Sequence, residues 1–188
     1  LAAYATQAER YPDTANALIA AFRAASPDAE RALLVHIGAQ TTVLIIVIAG
    51  QGGFATSFQM GGDFFTRSLA RQLSSPEDQA EVIRHSKNLL LGPDASPAFI
   101  ETVDGWVTEF DQQLREWFRS HPGASGGFDV ISSGGGFNQP GLRDYLNRRT
   151  GLDIRDWPAS GSNRDTAPQA GFEVAYGAAL QALGRGGP

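Results

Sequence analysis

Two glycine-bearing bends are where this sequence can bring bare backbone against a ligand. The first is Gly38-Ala39-Gln40, followed by Thr41 and Thr42, set between the apolar runs 32–37 and 41–49. Glycine permits close approach there, and backbone N–H and hydroxyl groups can donate to phosphate oxygens. By itself the same segment also reads as a plain tight turn. The second bend, Ser133-Gly134-Gly135-Gly136, leaves the apolar run 128–132 and leads through Pro140-Gly141-Leu142 into a helical stretch. Three glycines at the carboxyl end of a strand suit a flat or anionic group, because open α/β sheets bind ligands at that position. The plain alternative is a flexible loop, against which the preceding strand and the following Pro140-Gly141-Leu142 argue.

Other chemistry finds little support. His36, His85 and His121 are scattered and form no metal triad, so no metal ligand is assigned. His36 can equally be a hydrogen-bonded core residue, while His85 and His121 read as surface or helix-end positions. Serines are plentiful, but no Gly-x-Ser-x-Gly elbow has a plausible histidine partner, and no catalytic residue is assigned. The acidic cluster Asp63, Glu77, Asp78 and Glu81 is accounted for as helix-start charges placed favourably at the dipole. With no cysteine, the chain offers neither disulfides nor a thiolate site. A net charge of -5 disfavours a nucleic-acid partner.

The elements that must position these bends follow from hydrophobic spacing. The 188 residues, 42% of them hydrophobic, suffice for one full core with a subsidiary lobe. An Asp-capped, Ala-rich helix is predicted over 13–25. Three strands, 32–37, 41–49 and 53–60, are separated by turns at 38–40 and 50–52 and should form an antiparallel meander. The middle run, Val43-Leu44-Ile45-Ile46-Val47-Ile48, is apolar at every position, which requires cover on both faces.

Helices are predicted over 63–73, over 79–91 behind the Ser75-Pro76 cap, and over 97–120. The last carries Phe99, Val103, Trp106, Val107, Phe110 and Trp117 along one face; Val103 and Phe110 are assigned to the core. Trp106 and Trp117 can be either buried or presented to a neighbour. A strand at 128–132, a helix to Arg149, a strand at 152–155, a polar loop at 159–168 and a helix at 170–183 complete the order. The apolar stretch 32–50 is interrupted by His36, Gln40, Thr41 and Thr42 and is too broken to span a bilayer. Residues 1–10 lack an export-signal pattern, and the start at Leu1 reads as an excised piece.

Three strands, a block of helices, then strand, helix, strand, helix assemble into an α/β fold. The expected form is a ribonuclease H-like mixed five-stranded sheet with helices on both faces. The organisation expected is a ribonuclease H-like unit from 1–62 and 122–183, an inserted helical subdomain at 63–121, and a tail at 184–188.

Several motifs then occur in a telling order. They are His36-Ile37-Gly38-Ala39-Gln40-Thr41-Thr42, Gly61-Gly62-Asp63 and Gln79-Ala80-Glu81-Val82-Ile83-Arg84. Next come Ser133-Gly134-Gly135-Gly136 with Pro140-Gly141-Leu142, and Glu173-Val174-Ala175-Tyr176-Gly177-Ala178-Ala179-Leu180. In this order the chain resembles the PilM family of type IV pilus assembly proteins, actin-like and related to FtsA, over the second half of that two-domain fold.

The resemblance implies ATP as cofactor, with Gly38, Gln40 and Thr41 lining its phosphates. It further implies that Gly134, Gly135 and Gly136 face the adenosine while Glu81 and Arg84 flank ribose or base. Two departures stand out. His36 occupies the place of the family's metal-ordering Asp, a poor exchange for Mg²⁺, which prefers hard oxygen ligands. Arg84 stands where Lys is common, keeping the charge but not the compact ammonium.

Taken with these departures, the resemblance implies a cytoplasmic scaffold component, peripheral to the inner membrane, with a degenerate nucleotide site and weak or absent turnover. Its partners would resemble PilN and PilO, with self-association possible and no membrane insertion. The competing expectation is an active actin-like ATPase, FtsA-like or of a type II secretion platform, represented by its second domain.

Overall fold

In a computed structural model, residues 12–48, 54–121, 127–157 and 173–183 are described. Three strands follow the first helix, α1 (Pro12–Ala25): β1 (Arg31–Ile37), β2 (Thr42–Ile48) and β3 (Phe54–Phe58). They pair antiparallel as the meander requires. β4 (Asp129–Ser133) and β5 (Ile154–Arg155) add in parallel on the other side of β1, giving a five-stranded mixed sheet in the order β3-β2-β1-β4-β5. The five-stranded mixed sheet expected from the sequence is therefore present.

The unbroken apolar run of β2 is explained by two separate cores. Val43, Ile45 and Val47 join Ala32 and Leu34 of β1 against Leu18 and Phe22 of α1. The alternate residues Leu44 and Ile46 join Leu33, Val35 and Ile37 on the opposite face. There they meet α2 (Gly62–Leu73), α3 (Glu77–Ser86), α4 (Pro97–Ser120) and α5 (Leu142–Thr150) through Phe65, Leu69, Ala80, Phe99, Trp106 and Leu146. Since side chains alternate faces along a strand, each β2 residue finds an apolar neighbour. The last helix, α6 (Glu173–Ala182), packs on α1.

The longest helix, α4, matches its predicted bounds. Ser96 Oγ accepts the Phe99 N–H at 3.4 Å and Pro97 occupies the first turn. Val103 and Phe110 are buried as expected, and so are the rings of both Trp106 and Trp117. Trp106 stacks on Phe110 with ring centroids 5.2 Å apart, and its Nε1–H donates to Thr42 Oγ1 at 2.9 Å. Thr42 Oγ1 in turn donates to the Met60 carbonyl at 2.7 Å. One hydroxyl thus satisfies a buried indole and fixes the chain just ahead of α2.

The helix predicted over 79–91 is displaced. α3 begins at Glu77 and stops at Ser86, because Lys87 is extended and Asn88 Oδ1 accepts the Leu90 and Leu91 N–H groups in a side-chain-supported turn. Leu89 and Leu90 are buried from that turn rather than from a helix. The strand predicted over 152–155 shortens to Ile154–Arg155. Asn147 accounts for part of this, since its Oδ1 accepts the Ile154 N–H at 2.9 Å. The turn at 50–52, the loop at 159–168 and the tail at 184–188 lie outside the described residues.

Candidate functional site

The register of β1 against β4 decides where the two glycine bends fall. Leu34 pairs with Ile131, Val35 with Ser132 and His36 with Ser133 in the parallel ladder, so both strands run out of the sheet at the same edge. Beyond β1 the chain turns through Gly38 and Ala39, with the Gly38 N–H donating to the Thr41 carbonyl at 2.9 Å. Beyond β4 it enters a 3-10 turn, Gly135–Asn138. The two bends meet.

Gly134 is held where only glycine serves. Its φ is +89°, and a Cβ there would lie 2.5 Å from the Ile37 carbonyl oxygen and 3.0 Å from His36 Cε1. At Gly136 an added Cβ would overlap the Ile37 side chain. The loop after β4 is thus laid directly on the end of β1.

The N-terminus of α2 closes the third side. The Gly62 and Asp63 N–H groups donate to the Gly38 and Ala39 carbonyls at 2.8 and 2.7 Å, so these helix-start donors are spent on the turn. The Ala39 and Gln40 amides stay outside the internal backbone hydrogen bonds of the described residues.

These segments and α3 enclose a cleft of about 210 Å³ lined by Gly38, Ala39, Gly62, Asp63, Glu81, Arg84, His85, Gly135, Gly136 and Asn138. Of the sequence-predicted residues, Gly38, Glu81, Arg84, Gly135 and Gly136 line it. Gly134 supports the loop from behind, and Thr41 contributes its carbonyl to the turn. Gln40 is exposed and outside the lining. Sequence reasoning did not assign Asp63, His85 or Asn138 to the site. Asp63 was signalled by its place at the start of a helix after two glycines, whereas His85 and Asn138 carried no signal. Two roomier grooves elsewhere are each lined by one continuous stretch, within residues 67–77 and 108–119, and gather nothing distant in sequence.

The electrostatics of the cleft centre on Arg84, which is only 3% exposed. Its Nε donates to Thr66 Oγ1 at 3.0 Å and its Nη2 to His85 Nε2 at 2.8 Å, while Nη1 has no hydrogen-bond partner among the described residues. Burial draws the guanidinium pKa down, and the fields of Glu81 and Asp63 act the other way. His85 is held below its ordinary pKa by burial first and by Arg84 second, with Glu81 opposing.

His36 lies outside the lining, with its ring near Gly38 and Gly134. Its Nδ1 lies 2.8 Å from Ser133 Oγ, and burial pushes its pKa down to about 4, so the ring is neutral at pH 7. The hydrogen-bonded reading of His36 fits this geometry. The imidazole offers nitrogen where Mg²⁺ chemistry asks for hard oxygen, and among the described residues no group of three metal-binding side chains is gathered. His36 itself is therefore a poor ligand for Mg²⁺. The lining offers two stretches of bare backbone, at Gly38-Ala39 and Gly135-Gly136, beside the guanidinium of Arg84. Among the described residues no helix is long and apolar enough to cross a membrane.

Neither a family model nor a curated protein matches the chain. Solved structures do. A chain of the PilM–PilN type IV pilus biogenesis complex superposes with a TM-score of 0.64 at 21% identity, over 92% of this chain and 51% of that one. MreB 5 of Spiroplasma citri bound to AMPPNP gives 0.67 at 13% identity, over 92% and 59%. An archaeal actin homologue gives 0.59 at 14% identity, over 89% and 53%. These likenesses establish a partial actin-like fold, and the chain spans little more than half the length of each of these proteins.

Proposed function

We propose that this chain is the second half of an actin-like assembly protein of the PilM kind, and that its cleft forms one wall of a degenerate nucleotide site. The observation that carries this reading is the meeting of the Gly38-Ala39 turn, the Gly135-Gly136 loop and Arg84 around one cleft, though they are far apart in sequence. At about 210 Å³ the cleft is smaller than the roughly 300 Å³ at which ligand pockets usually begin, as expected of a single wall completed by further protein. Gly38, Gly135 and Gly136 would let backbone approach the nucleotide, and Arg84 and Glu81 would face its sugar or base. The bound nucleotide would supply no more than a ligand for assembly, because His36, neutral and bonded to Ser133, does not order a metal and its waters.

The corresponding role is that of a scaffold at the cytoplasmic face of an inner-membrane pilus or related secretion platform. Its partners would be platform proteins resembling PilN and PilO. The PilM–PilN likeness supports the first of these partners.

A titration of the full-length protein with a fluorescent ATP analogue, run with Mg²⁺ and with EDTA, tests the site. Weak binding indifferent to Mg²⁺, with no phosphate released, is expected. Tight Mg²⁺-dependent binding with turnover would instead identify an active ATPase, and no binding at all would remove the nucleotide from the reading. Co-purification with the inner-membrane proteins encoded beside it tests the scaffold role separately.

A further inference from the structure

Arg84 is a buried cation without an ion pair among the described residues. A buried charge is costly unless its hydrogen bonds are met, so the few contacts it has fix its position. One comes from Thr66 on α2 and the other from its own neighbour in sequence, His85. Since a guanidinium carries no lone pair, His85 Nε2 must be the acceptor, which places the ring proton on Nδ1 and makes the ring neutral.

The charged groups facing this pair are Glu81 from α3, whose Oε1 is 3.8 Å from His85 Nε2, and Asp63 from α2. The β1–β2 turn and the loop after β4 contribute glycines, Ala39 and Asn138 to the cleft, and no charge.

We propose that His85 is the positioning residue for Arg84, holding the guanidinium at the cleft wall only while the imidazole is neutral. A proton at Nε2 replaces the accepting lone pair with an N–H. The contact to Arg84 breaks and the ring turns to pair with Glu81. Arg84 is then left with Thr66 alone, and a ligand that accepts from it is held more weakly in acid. The ligand part of this inference rests on the nucleotide reading above; the Arg84–His85 contact does not.

The test has two arms in the full-length protein. In the first, a fluorescent ADP analogue is titrated at pH 7.5 and 5.5. The native protein should bind more weakly at the lower pH, by less than the roughly tenfold that full loss of one charge-assisted hydrogen bond gives, because His85, held below its ordinary pKa, is only partly protonated there. His85→Gln, whose amide oxygen still accepts from Arg84 but does not titrate, should keep its affinity at both. Equal pH dependence in the two proteins, or none in the native one, overturns the proposal.

In the second arm, the His85 ring is titrated by NMR without ligand. Its midpoint should rise in Arg84→Leu, or in the longer, uncharged Arg84→Met if the leucine variant does not fold. An unmoved midpoint overturns the contact. A moved midpoint with no nucleotide bound at either pH upholds the contact and sinks the nucleotide reading.

Discussion

His36 Nδ1 lies 2.8 Å from Ser133 Oγ, a side-chain bond between two residues that are also register partners across the parallel strands β1 and β4. It fastens the two strand ends from which both glycine bends depart. Because the folded chain holds His36 near pKa 4 while an unfolded chain restores about 6.5, only the unfolded state takes the proton between those values. Stability should therefore fall as pH drops from 6.5 towards 4, by up to about 3 kcal/mol, and level off below. Urea midpoints by circular dichroism across this range check it. His36→Gln should flatten the slope, and an equally steep slope in that variant would refute the assignment.

The loop after β4 should tolerate no side chain at Gly136. A Cβ there overlaps the Ile37 side chain and lies 3.1 Å from the Ile37 carbonyl oxygen, against which Gly134 is also laid, so Ile37 has little room to shift. Gly136→Ala is expected to cost about 1–3 kcal/mol and to weaken ligand binding beyond what the stability loss explains. Gly135→Ala, where no atom lies within 4 Å of the added Cβ, is the control and should be near neutral in stability. Thermal unfolding of the two variants side by side decides the matter.

Thr42 carries two obligations at once, accepting from Trp106 Nε1 and donating to the Met60 carbonyl. Thr42→Val preserves shape and leaves the indole N–H unmet inside the core. The expected loss is about 1–3 kcal/mol, with a shift in tryptophan fluorescence reporting the changed surroundings of Trp106. An unchanged denaturation midpoint would mean that the relay contributes nothing to stability.

Several of these relationships were legible in the residues themselves. The all-apolar run of β2 announces two covered faces, and the two cores divide its residues odd from even. Glycines at two strand ends forecast the meeting of the bends. The end of α3 was not legible, because Leu89, Leu90 and Leu91 continue an apolar pattern that a helix would also use; the side chain of Asn88 redirects the backbone there. Nor was the role of His85. Residues adjacent in a helix do not usually face each other, yet the long side chain of the buried Arg84 reaches the neighbouring ring through Nη2.

A last expectation concerns how α5 is tied to α4. Asp104 Oδ1 accepts from Tyr145 Oη at 2.7 Å and from Arg149 Nε at 2.8 Å, so one carboxylate oxygen on α4 holds two side chains of α5. Burial pushes the Tyr145 phenol up, its bond to Asp104 adds to this, and the pKa reaches about 12. Burial opposes the charge on Asp104, but its bonds to Arg149 and Tyr145 prevail and hold its pKa below the ordinary value. That sign means the carboxylate stabilises the fold above the ordinary carboxylate pKa and ceases to do so as pH falls through the lower, folded one, a window below that of His36. Asp104→Asn should lower the Tyr145 midpoint in an ultraviolet phenolate titration. Stability should change little, since the pair with Arg149 is solvent-screened. A Tyr145 midpoint that stays near 12 in Asp104→Asn would show that burial alone raises it, and that α5 is anchored by Leu142 and Leu146 rather than by the carboxylate.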